Sequence, residues 1–589
     1  MKTQLLSPAT PVRLVRALSR LPARRTDLPV ALALTLVGSA LHAQVAGTLD
    51  PTFDPNVAGS YVSGIAVQPD GKMVLAGNFS GVGGQSGKGI ARILSTGTVE
   101  STATFNPGTG VSFWATAAAV QVDGKIVIGG PFNMVNGQAR NRIARLLANG
   151  TVESTATFNP GTGADGPILN DLVNSIALQA DGKIVIAGQF ISVNGQSRKG
   201  IARLLTNGTV EGTATFNPGT GAGSGIAGTD ATVRCVALQA DGKILIGGDF
   251  TTVNGQSRKG IARLLANGTL ESTTTFNPGA GVGSGAGVSA AVHSIAVQAD
   301  GKIVIAGNFA TVNGQPRLGI ARLLTNGTVE SSDTFHPGVD LQGFRSLVLQ
   351  ADGKIILAGG TAPGGGGVIR MHVDGTVEST ATFNPNLGAQ DFLTFGAALQ
   401  ADGKILLGGA FTQAGGQPRN RIARLANDAA IQTLAMPDAT RVQWFRSGTA
   451  PEVEQVTFEM SVDGGASWTL LGPGTRISGG WELTGLALSG TGSLRARGRT
   501  TGGAFNNSSG MVESVAAFPV LPVLSITQSN AGVTVSWPFP STGFVLQQNT
   551  GLNTGTWTPP PEIVADSATT RSITVTPAPG SGFFRLFRP

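Results

Sequence analysis

Hydrophobic residues along this chain fall in short runs broken by Gly, Asn, Asp and Pro, and one run of such runs repeats. A clear copy begins at Val173–Gln179, which reads as a strand, and turns at Asp181-Gly182. Lys183–Phe190 is a second strand, followed by a loop holding Asn194-Gly195. Gly200–Leu205 is a third strand, Asn207-Gly208 a turn, and Thr209–Phe216 a fourth strand ended by Asn217-Pro218. Asp-Gly and Asn-Gly tolerate positive φ at both central positions, so these signals predict tight type I′ turns and a four-stranded antiparallel meander. A proline after the fourth strand cannot continue the ladder, so the sheet should stop there.

Asp-Gly-Lys marks each copy, at Asp70, Asp123, Asp181, Asp241, Asp300, Asp352 and Asp402, with spacings of 53, 58, 60, 59, 52 and 50 residues. Four-stranded units of this length, repeated seven times, predict an all-β, seven-bladed β-propeller over 44–428. The seventh copy stops at Asn427-Asp428 without a fourth strand, while an orphan fourth-strand ending, Phe53, precedes the first copy. Residues 47–55 are therefore expected to pair with 421–428 and close the ring, removing exposed edges. The run Ile65–Phe79, followed by Gly89-Ile90-Ala91-Arg92 and by Phe-Asn-Pro segments, resembles the delta-60 repeat family of bacterial propellers. The resemblance covers about 47–428 and implies a propeller from a bacterial exported protein, with no particular activity. The sixth copy departs from it, with Thr361–Gly367 in place of the usual second loop.

After residue 428 the repeat ends, and five of the six tryptophans follow. Alternation in Val442–Trp444, Val456–Met460, Trp468–Leu471 and Leu494–Arg497 predicts an immunoglobulin-like β-sandwich over 429–518. Val533–Trp537, Phe544–Gln547 and Phe583–Leu586 predict a second small sandwich over 523–589. Such modules are expected to serve as spacers or attachment points.

Composition changes the picture in two places. The first 43 residues carry Lys2, Arg13, Arg16, Arg20, Arg24 and Arg25, then the apolar run Leu28–Leu41, which reads as a signal peptide. Without them the net charge falls from +7 to about +2, so the high pI is no argument for nucleic acid. No transmembrane segment is expected in the mature chain, which should be secreted or cell-surface, periplasmic or extracellular, and monomeric. Cys235 is the single cysteine and sits in a strand pattern, so no intramolecular disulfide forms and a core role is expected.

Chemistry-bearing motifs are few. Ser461–Trp468 matches the Asp-box pattern, read as a turn brace, and Gly223–Gly228 has dinucleotide spacing without the strand-to-helix context that motif needs. His293, His336 and His372 stand apart, so no metal or cofactor is expected. The third-strand arginines should pair structurally with fourth-strand glutamates such as Glu153 and Glu211. The loops between strands two and three hold Arg140, Arg142, Arg198, Lys199, Arg258, Lys259, Arg317, Arg419 and Arg421, nearly without acids. Their face is the expected binding face for an extracellular acidic glycan or other surface polymer, since loops on a rigid scaffold carry function. The leading expectation is thus a non-catalytic binding or scaffold protein. Two others stand beside it: a polysaccharide-active enzyme using carboxylates such as Asp165, Asp171, Asp230 and Asp340, and a purely structural adhesin or matrix component.

Overall fold

The structure, a computed structural model, describes residues 45–166, 172–224, 231–284, 290–360, 367–388, 393–488, 491–503, 505–518, 524–529, 532–538, 544–550, 557–567, 570–575 and 582–587. The apolar N-terminal segment lies outside them, as do Asp171 and Asp230. Every regular element among the described residues is a β-strand, and no helix is long and apolar enough to cross a membrane.

Each Asp-Gly-Lys copy builds one blade-like antiparallel sheet. In the third copy Leu172–Leu178 pairs with Ile184–Gln189, which pairs in turn with Ile201–Leu204. The middle strand is buried on both faces at Ile184, Val185, Ile186 and Ala187. A strand shielded on both sides needs a continuous apolar run, which explains the Ile-Val-Ile and Ile-Leu-Ile strings. The apolar clusters lie between consecutive sheets: Ile176 and Ile186 pack with Ala119 and Val127, and Val236 and Ile246 with Val185 and Ala187. A further cluster joins Val62, Ile65 and Leu75 of the first copy to Ala398, Leu406 and Ile422 of the last, so the series of sheets returns on itself.

Two local expectations are corrected. The fourth strand is only a bridge, Leu204↔Val210 in the third copy, because the chain then turns and Phe216 N–H donates to Gly212 O at 2.9 Å. That turn buries the Phe216 ring instead of extending the ladder. The Asp-Gly turns are also not type I′. Only the glycine is left-handed (Gly182, φ 81°), while Gly182 N–H bonds to Gln179 O and Gln179 N–H to Lys183 O. This is the three-residue hairpin with a glycine bulge; Asp181 Oδ1 fixes it by accepting from Lys183 N–H at 3.1 Å. The type I′ geometry occurs in the next loop, at Asn194 and Gly195 (φ 49° and 69°).

The third-strand arginines tie sheet to sheet. Arg145 pairs with Glu153 and Arg203 with Glu211, the pairing the sequence suggests. Each guanidinium also lies over the Phe of its own copy, 4.3 Å from Phe158 for Arg145, and donates to the next sheet, Arg145 to Thr206 O at 2.6 Å. Arg424 makes the corresponding contact across the ends of the repeat, to Ser95 O at 2.6 Å. Its carboxylate partner is Asp50, 3.0 Å away, and Leu49 bridges Leu425.

After the repeat, two sheets enclose Trp444, Phe458 and Trp481: Ala430–Asp438, Arg441–Gly448, Gly480–Leu483 and Thr475–Ile477 on one side, and Thr469–Pro473, Gln455–Ser461, Gly492–Gly502 and Ser508–Phe518 on the other. Ser461–Trp468 is a turn brace, with Ser467 N–H donating to Asp463 Oδ1 at 2.9 Å. A smaller set of strands packs around Val535, Trp537, Leu546 and Ile573.

The first of these units is not a detached spacer. Its hairpin, Gly492–Gly502 and Ser508–Phe518, enters the space between the inner strands of the repeat. Ser508–Ser509 runs parallel to Ala118–Ala119 and joins that sheet. Ile65 N–H donates to Ser508 Oγ at 2.7 Å, Ala118 N–H to Asn507 O at 2.9 Å, and Gly503 N–H to Ala397 O at 2.8 Å. Asn506 reaches the fifth copy: its Oδ1 accepts from Ser294 Oγ (2.6 Å) and Ile295 N–H (3.1 Å), and its Nδ2 donates to Ile295 O. The hairpin is thus a polar plug, held by inner strands of the first, second, third, fifth, sixth and seventh copies, Ser175 Oγ donating to Asn506 O at 3.2 Å.

Candidate functional site at the mouth of the plugged channel

Five of the innermost strands share a bulge near their start. The register slips between Val173 and Ser175, Val233 and Cys235, Val292 and Ser294, Phe344 and Ser346, and Thr394 and Gly396. A bulge re-aims the extra side chain. The bulged residues are Asn174, Arg234, His293, Arg345 and Phe395, one per sheet. The residue that follows is small and buried, and Ser175 and Ser294 use their hydroxyls to accept from Val236 and Leu347 N–H at 3.2 Å. The backbone is locked there while the bulged residue differs from copy to copy.

Four of these, Arg234, His293, Arg345 and Phe395, gather at the plug tip. Phe505 meets His293 edge-on (centroids 5.6 Å apart), and Arg234 lies 5.5 Å from the Phe505 ring. Arg345 lies 5.2 Å from the Phe395 ring, and Phe395 meets Tyr61 edge-on at 5.3 Å. Phe505 has φ 58°, a left-handed conformation unusual for an aromatic residue, and its N–H donates to Arg345 O at 3.4 Å. Electrostatically the mouth is cationic. Burial and the charges of Arg234 and Arg345 push His293 down to about 3, so its imidazole is neutral at ordinary pH. Desolvation and the like charge of Arg234 lower Arg345 too, and burial raises the Tyr61 hydroxyl to about 12. Asp249 pairs with Arg234 at 2.9 Å; Arg345 has no acidic partner among the described residues.

The basic loop residues named from the sequence lie elsewhere, and most are not surface groups. Arg140, Arg198, Arg258, Arg317 and Arg419 are buried. Arg198 donates to Ser197 O and Glu211 O, both at 2.8 Å; Arg140, Arg258 and Arg317 repeat this, and Arg419 turns to Pro418 O and Pro51 O. Their periodicity comes from capping carbonyls left by the shortened fourth strand. Arg142 and Arg421 are half-buried with φ 62° and 67°, and Arg421 donates to Gly59 O and Phe411 O. Lys199 and Lys259 remain exposed. Asp165 and Asp340 are exposed and accept from Gly166 and Gln342 N–H in local turns. Cys235 is fully buried, and burial pushes its thiol pKa up. No cluster of His, Cys, Asp and Glu that would hold a metal occurs among the described residues.

The mouth residues carried one sequence signal: a position that varies inside an otherwise repeated strand, at Asn174, Arg234, His293, Arg345 and Phe395. Nothing in the sequence placed Phe505 beside them.

A second perturbed pair lies beneath the Asp-Gly turns. Burial pushes Glu454 up to about 7 despite Arg499 and a backbone bond from Leu238, and lowers Arg499 to about 10. A carboxyl raised above its unfolded value favours folding when protonated; that stability is present below about pH 4.5 and is lost as pH rises through 7. Glu454→Gln should therefore match the parent near pH 5 and exceed it at pH 8, by about 1–2 kcal/mol after allowing for partial solvent access. Urea unfolding at both pH values checks this, and equal differences at the two would contradict it.

Repeated sheets whose clusters return on themselves define a β-propeller. Residues 68–102, 121–155, 179–213, 239–273, 298–332 and 400–429 match the family described as "Domain of unknown function (DUF5122) beta-propeller". The copy around Asp352, which lacks the usual second loop, lies outside the matched segments. No curated relative matches the chain. Among solved structures, the extracellular domain of a one-component system, BT4673 from B. thetaiotaomicron, is 10% identical over 83% of this chain and 76% of its own, with a TM-score of 0.23. A likeness that slight carries no argument.

Proposed function

We propose that this chain is an exported, non-catalytic binding protein: a monomeric, seven-bladed propeller of the delta-60 type over 44–428, closed by the strand 47–55, with immunoglobulin-like and second sandwich modules at 429–518 and 523–589. The Leu49↔Leu425 bridge and the Arg424–Ser95 contact favour closure by the N-terminal strand. Its ligand is an extracellular acidic glycan or similar polyanion, taken at the channel mouth. One observation carries this reading: Arg345 stands exposed on the Phe395 ring beside Arg234, without an acid of its own among the described residues. Guanidinium groups take carboxylate and sulfate oxygens in a fork, and the rings of Tyr61, Phe395 and Phe505 offer apolar faces to a sugar. The loop arginines are buried and turn their terminal nitrogens to backbone carbonyls, so the binding face narrows to the mouth.

The test is a glycan array on the full chain at low and high salt. Acidic glycans should bind, weaken as salt rises, and bind at least tenfold more weakly to Arg345→Ala, while Lys199→Ala and Lys259→Ala change affinity by less than threefold. No acidic glycan bound at low salt, or binding unmoved by Arg345→Ala, would remove the reading.

A further inference from the structure

On the face opposite the mouth, a cleft of about 330 Å³ separates the Asp-Gly turns of the second, third and fourth copies from the unit built around Trp444. We propose that this cleft binds a neutral, hydroxyl-rich ligand of mono- to disaccharide size, independently of the mouth. Its roof is Gln121, Gln179 and Gln239, one from each copy at the same repeat position, and its floor includes Glu454, Trp481 and Arg499.

The donor and acceptor inventory selects the ligand. Gln121 Oε1, Gln179 Oε1 and Glu454 Oε1 are buried acceptors without a partner, and Trp481 Nε1 is a buried donor without one. Unsatisfied buried polar atoms are costly, and hydroxyls, which donate and accept, answer both kinds. The repeat supplies a contrast. Gln298 occupies the same position and also has an unpaired Oε1, but it does not line the cleft. What distinguishes Gln121 and Gln179 is therefore the floor beneath them, not the glutamine.

Charge argues against an ionic ligand. Arg499 faces Glu454 and donates to Val120 O at 2.9 Å, while Arg497 donates to Glu513 and to Val122 O. An anion would find these guanidinium groups already engaged, and a cation would meet two of them. The volume sits at the lower end of the range for small-molecule sites.

The probes are maltose, cellobiose, lactose and sucrose, titrated calorimetrically into the full chain. At least one should bind saturably, with an affinity unchanged between low and high salt and unchanged in Arg345→Ala. Gln179→Leu should weaken it at least fivefold and Gln298→Leu not at all; neither side chain makes a protein hydrogen bond, so both variants should fold, as their melting temperatures will show. Absence of saturable binding by all four sugars would overturn the proposal. So would binding that Gln179→Leu and Gln298→Leu leave equally intact. Either failure leaves the acidic-glycan reading of the mouth standing, because that reading concerns anionic sugars, salt and Arg345.

Discussion

Deleting residues 45–55 is expected to cost the repeat its cooperative unfolding, leaving a chain that exposes apolar surface and associates. The segment fills the last sheet. Gly47 N–H donates to Ala426 O, Ala426 N–H to Thr48 O and Asp50 N–H to Arg424 O, each at 2.8 Å. Phe53 is fully buried, with the Arg424 guanidinium 4.4 Å above its ring. Removing a core Phe costs about 3–5 kcal/mol, and stripping a buried arginine of its carboxylate costs about as much again. Together these approach the whole stability of an ordinary domain, about 5–15 kcal/mol. The loss also opens a sheet edge at Leu425, a template for pairing with another chain. The point variant Asp50→Ala should lower stability by about 3–5 kcal/mol while keeping the fold. A peptide spanning 45–56 should restore the melting transition of the deleted chain. If the deletion melts within a few degrees of the parent, the segment does not close the repeat.

The pairing of residues 47–50 with 424–426 follows from counting alone: one Phe ending too many at the front and one too few at the back. The strand grammar was legible for a similar reason, since Asp181-Gly182 and Asn194-Gly195 both demand a reversal, and the Ile-Val-Ile string demands burial on two faces. The turn type was not, because type I′ and the glycine-bulged hairpin both want glycine at the left-handed position and differ in the φ of the residue before it. The loop arginines misled in an instructive way. Arg198 reads as a surface charge because its neighbours are Ser197, Lys199 and Gly200, yet it is buried to cap Glu211 O. A carbonyl acceptor leaves no trace in the sequence, so a charge bonded mainly to backbone looks free. The mouth was missed for the opposite reason. Arg234, His293 and Arg345 sit one residue into strands read as core, and only the bulge turns them inward to the channel. The plug depends on contacts across more than 200 residues, such as Asn506 to Ile295, which no local pattern encodes.

Asn506 should be the most sensitive single position in the C-terminal half. Its side chain completes the ladder of Ile295 by accepting from that residue's N–H and donating to its carbonyl, and it also takes the Ser294 hydroxyl. Asn506→Leu would leave the buried N–H and C=O of Ile295 without partners, each costing about 1–3 kcal/mol, while the Ser294 hydroxyl keeps the bond it accepts from Leu347 N–H. The backbone adds to this. Asn506 has φ 53°, which asparagine tolerates better than other side chains, so leucine is strained there by about 1 kcal/mol more. A total loss of about 3–7 kcal/mol follows, read from urea unfolding. Asn506→Gly removes the same hydrogen bonds without the strain and should recover about 1 kcal/mol of that loss. Hydrogen exchange locates the effect: the Ile295 amide should lose protection in both variants, while the Ile184 amide, inside a middle strand far from the tip, keeps its own. Phe505, next in the chain, would lose its fixed place between Arg234 and His293, so acidic-glycan affinity should fall in both variants even though neither changes a charge. If Asn506→Leu unfolds within 1 kcal/mol of the parent and Ile295 stays protected, the hairpin rests in the channel without holding it, and the mouth owes its shape to the inner strands alone.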